Sequence, residues 1–350
     1  MANASDFLIG ANDEHGLNPP TVGKRSPIIS YLGRSFYENE FNRQTKERFI
    51  IACLRCGFNV YDVHPEIQDI SVSRRVVRAN NARLSALVTF AYNASGDGVS
   101  FNSARGYEVY YSPYNQFPND SLRLSELVLE ELKGNGFVNA RFVGRLSIGV
   151  LSNVNCPSTL VEAGFMTNAE EVKFMQNPFY VEQVAERTCE AVCRFFAVEY
   201  VVNNVENYPV LRTNSRNNFV RILQILLTEF GANLSTDGVF GLRTKLAVES
   251  FQRNNGLTVD GVVGRNTWTK LLNKDVGDNT LRRGSMNSNV LFLQKLLLSY
   301  LYPITNLDSN FGPETERAVK AFQQENGLVS DGIVGARTWE KLFSTAGRKL

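Results

Sequence analysis

A repeat fills the C-terminal part of the 350-residue chain and restricts what it can fold into. Residues 251–272 read FQRNNGLTVDGVVGRNTWTKLL, and residues 322–343 read FQQENGLVSDGIVGARTWEKLF. Phe251 and Phe322, Gly256 and Gly327, Asp260 and Asp331, Gly264 and Gly335, and Trp268 and Trp339 are each 71 positions apart. Upstream, Val220 and Gln224 match Val290 and Gln294 at a spacing of 70, so the second copy gains one residue in the loop before Asp308. Self-similarity with one loop insertion means a duplicated small module. Each copy predicts three helices. The first carries the apolar stripe Val220, Leu223, Leu226, Leu227, or Val290, Leu293, Leu296, Leu297. The second runs from Thr244 to Asn254, or Thr315 to Asn326, and stops near Gly256 or Gly327, where a left-handed residue costs little. The third starts near Asn266–Thr267 or Arg337–Thr338, with the hydroxyl as a cap. Asp-Gly pairs at 260–261 and 331–332 mark tight turns. Trp268 and Trp339 read as core residues rather than sugar-stacking platforms.

Residues 1–200 have another texture, with short β-rich runs alternating with amphipathic helical runs. The strand candidates are Asp6–Gly10, Asn59–Asp62, Ala86–Phe90, Gly106–Tyr111 and Thr159–Glu162. The helix candidates are Glu40–Cys56, Val72–Asn80, Ser121–Lys133, Ala169–Gln176 and Tyr180–Phe196. Such alternation predicts an α/β fold, a mainly parallel sheet with helices on both faces, followed by the two small three-helix modules. The expected domains are 1–201, 202–274 and 280–347, with Val202–Ser215 and Asn273–Ser285 as linkers.

The formal charge of +2 argues against nucleic acid as the main partner, since phosphate binding wants a concentrated basic surface. No apolar run approaches the roughly 20 residues of a membrane span. Met1–Gly10 lacks the basic-then-apolar pattern of a secretory leader, so a protein made in the cytoplasm is expected. The five cysteines, Cys53, Cys56, Cys156, Cys189 and Cys193, are an odd set without a framework spacing and read as reduced thiols. Cys53 and Cys56 form a CxxC inside an apolar helical run, and Cys189 and Cys193 lie four apart on another. Both pairs read as core thiols.

Ligands of open α/β sheets sit beyond the carboxyl ends of the strands. Three segments there carry chemistry: Asn12-Asp-Glu-His15-Gly16, Tyr37-Glu-Asn-Glu-Phe-Asn42 and Leu160-Val-Glu-Ala-Gly-Phe-Met-Thr-Asn168. A histidine and a carboxylate suit zinc, and a further glutamate suits a general base. Blander readings stand beside these. His15 could be an ordinary loop residue, Glu38 a helix N-terminal carboxylate with Glu40 as the substitute ligand, and Glu162 a paired buried acid. Arg75 and Asn80 read as structural, Arg75 pairing a carboxylate or orienting a loop and Asn80 capping the helix Val72–Asn80.

These stretches resemble the zinc-dependent N-acetylmuramoyl-L-alanine amidases of the Amidase_3 family, nearest the endolysin and sporulation-lysin type. His15-Gly16, Gly23-Lys-Arg-Ser-Pro27, Glu38–Asn42, Val72–Asn80, Gly106–Tyr111 and Leu160–Asn168 occur in the family's order. The C-terminal copies resemble the PG_binding_1 repeat. The resemblance implies His15 and Glu38 as zinc ligands and Glu162 as the catalytic glutamate. It implies Zn2+ as cofactor, peptidoglycan as partner, and cleavage of the amide between N-acetylmuramic acid and L-alanine. Substrate contacts fall to Asn93, Asp237 and Asp308 as candidates. One departure stands out. The family's second histidine ligand belongs to a motif resembling His-Ala-Asn-Ala, and this chain reads Ala91-Tyr-Asn-Ala94 there. Asp13 and Glu14 also replace small residues beside His15. Only two histidines exist, and His64 reads as an exposed loop residue and not a substitute. Weak zinc binding is therefore expected, with Ala91 compatible either with an inactivating substitution or with natural drift to a wall-binding pseudoenzyme. The rival to the enzyme is a non-catalytic wall-binding component of a phage tail or injection device. Delivery to the wall would follow lysis or particle injection. A third reading gives the repeats a role in protein contact.

Overall fold

The computed structural model describes residues 2–16, 25–29, 34–134, 143–169, 171–175, 178–272, 280–286, 289–290, 293–294, 297 and 302–345. Its N-terminal part is a six-stranded sheet built from β1 (Leu8–Asp13), β2 (Asn59–Asp62), β3 (Ala86–Asn93), β4 (Tyr107–Tyr111), β5 (Val143–Arg145) and β6 (Ser158–Phe165). The strand order is β2-β1-β3-β6-β4-β5. All neighbouring pairs run parallel except β4 and β6. The sheet is thus mainly parallel, as the alternating pattern predicts.

Helices α1 (Glu38–Arg55), α3 (Pro118–Gly134) and α6 (Pro178–Phe195) cover one face, and α2 (Val72–Ala82) and α4 (Gly149–Ser152) the other. α5 (Glu171–Met175) follows β6. Along β3, Val88, Phe90 and Tyr92 enter the core under α1 and α6, while Leu87 and Ala91 enter the opposite layer. That is the period-2 alternation of a strand buried on both faces. Strands β1, β3 and β6 run three residues past the predicted ends. In β1 the apolar pattern stops earlier because Asn12 and Asp13 are buried polar residues held inside the sheet layer. β5 and α4 were not expected, being too short to show a period.

In the first module, α7 (Asn218–Glu229), α8 (Leu242–Asn254) and α9 (Arg265–Leu272) pack around Val220, Leu223, Phe251 and a fully buried Trp268. α10 (Pro313–Glu325) and α11 (Ala336–Thr345) repeat this around Phe322 and Trp339. Of the expected features, Leu296, Gly23–Lys24 and Asn273–Gly277 lie outside the described residues. The segment read as a linker, 202–215, is instead part of the first module. Tyr208 is buried, Leu211 pairs with Val263, and Trp268 Nε1 donates to the Pro209 carbonyl at 2.8 Å.

One hydrogen-bond unit occurs four times in the modules. Gln224 Nε2 donates to Asp237 Oδ1 and Thr244 Oγ1. Gln252 serves Asp260 and Thr267 in the same way, Gln294 serves Asp308 and Thr315, and Gln323 serves Asp331 and Thr338. The Thr267 and Thr338 hydroxyls, expected as helix caps, are therefore acceptors for a buried glutamine amide. Burying an amide is costly unless each of its groups finds a partner.

The first module rests on the amidase-like part. Asn218 Nδ2 donates to the Phe58 carbonyl at 3.0 Å, and Arg48 pairs with Glu229 at 3.0 Å. Burial and the nearby Glu229 charge push Glu47 up to about 7, against the pull of Lys46. Its folded value lies above its ordinary value of 4.5, so the folded state holds the extra proton and loses stability as pH rises from 4.5 through 7. Glu47→Gln is expected to raise the melting temperature above pH 7 and to leave it unchanged below pH 4.5, which thermal scans at the two pH values check.

Candidate active site

Three segments meet at the carboxyl end of β3. Glu14 and His15 follow β1 directly, and the Glu14 amide donates to the Phe90 carbonyl at 3.0 Å. His15 has φ 64°, a left-handed conformation that histidine tolerates better than a bulky or β-branched residue. Gly16 allows the close approach of the next loop, since a Cβ there would sit 2.1 Å from the Asp69 amide nitrogen. Glu38 opens α1 and is 1% exposed. Its Oε1 accepts from the Tyr92 amide and from Asn42 Nδ2, both at 3.2 Å. Asn42 Nδ2 also donates to the Glu14 carbonyl at 2.6 Å, so one buried amide ties the His15 loop to Glu38.

His15 Nε2 lies 3.5 Å from Glu38 Oε2 and 4.0 Å from Glu14 Oε2. One ligand atom from each of the three falls within 4.8 Å of the other two. An imidazole nitrogen and two carboxylate oxygens at that separation suit a divalent cation such as zinc. Glu14 is a donor that the sequence reading noticed only as a replaced small residue. Its signal was a carboxylate next to a candidate ligand, in a chain short of one ligand elsewhere.

Ala91 is fully buried and packs with Leu151 and Leu160. In the β3–β6 ladder it stands opposite Glu162, and in the β6–β4 ladder Glu162 stands opposite Glu108. Paired positions in a sheet share a face, so Ala91, Glu162 and Glu108 form a row across three strands. Glu108 was not singled out in the sequence. Its Oε2 accepts from Asn93 Nδ2 at 2.8 Å and from the Tyr110 hydroxyl at 2.6 Å. Asn93, a substrate-contact candidate, is thus engaged with Glu108 and with the Ala94 amide. Asp237 and Asp308 are exposed but lock module turns and lie in other domains.

Four other expectations resolve here. Glu40 is not in the cluster. It accepts from the Tyr37 amide at 3.1 Å and forms a two-point pair with Arg34 at 2.8 and 2.9 Å. His64 is no exposed loop residue but is fully buried. Its Nδ1 lies 2.8 Å from Asp13 Oδ1 and its Nε2 2.8 Å from the Gln68 carbonyl. The signal was Asp13, a buried strand-end acid that needs cationic partners. Asn80 does not cap α2, which runs on to Ala82 and ends at the left-handed Arg83. It bridges instead to Asn153 and Asn155. Arg75 behaves as read, holding Asn12 Oδ1, the Asp13 carbonyl and Asp69.

Beneath the His15 loop lies a buried charge network. Lys46 Nζ reaches Asp13 at 3.2 Å and Asp62 at 2.9 Å, and Arg43 reaches Asp13 at 3.2 Å. Burial opposes ionisation of Asp13, but the His64 hydrogen bond and the Lys46 and Arg43 charges outweigh it and hold the carboxyl below its ordinary range.

An α/β sheet with a histidine–carboxylate donor cluster at its strand ends is thus followed by paired helical modules. The N-acetylmuramoyl-L-alanine amidase family model matches residues 19–194, and the peptidoglycan binding domain model matches 216–271 and 286–342. The chain belongs to the N-acetylmuramoyl-L-alanine amidase family and carries two peptidoglycan-binding repeats. The amidase match begins after His15. Among curated relatives, it is 32% identical over 124 residues to the N-acetylmuramoyl-L-alanine amidase CwlM of Mycobacterium tuberculosis, covering 34% of this chain and 30% of that one. It is 33% identical over 128 residues to the zinc D-Ala-D-Ala carboxypeptidase of Streptomyces albus G, covering 35% and 44%. The matches thus span less than half the length of these relatives. A solved N-acetylmuramoyl-L-alanine amidase from Clostridium difficile 630 superposes with a TM-score of 0.48 at 25% identity, over 56% of this chain and 98% of that one.

Asp13→Asn is expected to destabilise the protein by roughly 3–5 kcal/mol at neutral pH, because Lys46 and Arg43 are left with one counter-charge fewer. Urea unfolding checks it, and a change under 1 kcal/mol would show that the network is not holding the loop.

Proposed function

We propose that this chain hydrolyses the amide between N-acetylmuramic acid and L-alanine in peptidoglycan, with its modules holding it to the wall. The observation that carries the reading is the Glu14–His15–Glu38 donor cluster, tied by Glu38 to the Tyr92 amide next to Ala91, which stands opposite Glu162. Glu14, His15 and Glu38 would hold zinc, with Glu14 standing in for the imidazole that Ala91 lacks. Zinc, when bound, supplies a Lewis acid for the scissile carbonyl and lowers the pKa of water to roughly 7. Glu162 takes the proton from the attacking water and returns it to the departing L-alanine nitrogen. Glu108, anchored by Asn93 and Tyr110, fixes the β4 side of the site. Asn42 keeps the His15 loop and Glu38 in register.

The modules supply affinity. Two weak sites on one chain gain avidity on a repetitive polymer. A groove of about 410 Å³ in the first module, lined by Leu227, Phe230, Leu246, Phe251, Asn254 and Arg243, is the surface we assign to wall contact. Among the described residues no helix is long and apolar enough to cross a membrane. Ala91 favours a second reading, a wall-binding component without catalysis, as in a phage tail or injection device.

New L-alanine amino termini released from purified peptidoglycan with added zinc separate the two. The native chain is expected to release them. Glu162→Gln should slow release by about 100-fold or more while still sedimenting with the wall. Glu14→Ala should lower bound zinc and rate together, and adding Ala91→His should restore both. Equal release by native chain and Glu162→Gln would end the catalytic assignment, and no release at all would leave the binding one.

A further inference from the structure

We propose that Cys53, Cys56, Cys189 and Cys193 form a four-thiolate site for a single structural zinc ion that clamps α1 to α6. This site is separate from the Glu14–His15–Glu38 cluster and contains no histidine or carboxylate.

Four of the five cysteines converge from two helices that are more than 130 positions apart in sequence. Cys53 lies in the last turn of α1 and Cys56 is its C-cap, while Cys189 and Cys193 are one turn apart on α6. An i,i+4 spacing puts both α6 thiols on one helix face. The Sγ atoms of Cys56, Cys189 and Cys193 all lie within 4.8 Å of one another. Cys189 Sγ is 3.9 Å from Cys56 Sγ and 3.7 Å from Cys53 Sγ; Cys53 lies outside the mutual group of three and must turn toward the ion to serve as the fourth donor. Zinc–sulfur bonds of about 2.3 Å place the sulfurs of a tetrahedron about 3.8 Å apart. Two of the six Sγ–Sγ distances therefore match tetrahedron edges.

One backbone contact suits a metal-bound thiolate. The Val201 amide donates to Cys56 Sγ at 3.4 Å, the kind of outer bond that steadies a metal-bound sulfur. The weaker thiol contact from Cys56 to the Val201 carbonyl, at 3.9 Å, would be given up on binding. Buried Arg55, next to Cys56 and paired with Glu186, adds positive charge beside the cluster. Each thiol gives its proton to solvent as its sulfur–zinc bond forms, and the metal stays divalent throughout. The four thiols are 0–6% exposed, so the ion would enter during folding.

The test uses the full chain, unfolded and stripped of metal, then refolded reduced and anaerobically in the presence of cobalt(II) alone. The expected result is an intense near-ultraviolet sulfur-to-cobalt charge-transfer band with the visible bands of tetrahedral cobalt. The band should persist in the double variant His15→Ala, Glu38→Gln and be lost in Cys189→Ser, Cys193→Ser. In the zinc-loaded native chain, stepwise mercurial titration should release one zinc as four thiols react. A native, reduced chain that takes up cobalt without a sulfur band overturns the proposal, as does zinc release unlinked to thiol reaction. Both readings come from the unsubstituted chain, so a serine variant that fails to fold does not protect the idea.

Discussion

Strand β3 sits inside the sheet, with β1 on one side and β6 on the other, and its carboxyl end organises the whole site. The Phe90 carbonyl receives the Glu14 amide, the Tyr92 amide binds Glu38, and Ala91 faces Glu162 across the ladder. Backbone groups at a strand end have no further strand partner and must be satisfied by something else. Here the satisfying groups are the very residues assigned to the chemistry. Shift the register of β3 by one residue and each of these contacts is lost together.

Polar burial extends that dependence downward. Asp13 is fully buried yet ionised, because His64, Lys46 and Arg43 converge on it. Such networks are weak contributors to net stability but costly to break. Their value here is positional. They fix the last residue of β1 and therefore the two residues that follow it, including the strained His15.

Much of this was legible in the chain itself. Period-2 and period-3.6 patterns located every strand above three residues and every helix of the amidase domain longer than four. The duplicated Phe, Gly, Asp and Trp positions located the modules. What stayed hidden depended on contacts between distant segments. His64 looked like a loop residue because nothing local marks it as the partner of Asp13. Glu108 sits in an alternating strand like any half-buried acid, and only the antiparallel β4–β6 pairing puts it opposite Glu162. The four Gln–Asp–Thr units were invisible because glutamine on a helix is usually solvated. Segment 202–215 misled for the converse reason: polar composition suggested a tether, yet Tyr208 and Leu211 supply the first module's core.

That last feature changes how the enzyme would meet its substrate. Because Tyr208 and Leu211 join the same apolar core as α1 and α6, the first module packs directly against the α/β part. Under the proposed function, wall polymer held by that module would be presented to the Glu162 end of the sheet at a set angle and distance. On that proposal the anchor would act as a jig rather than a leash, with bond selection following from where the polymer is gripped.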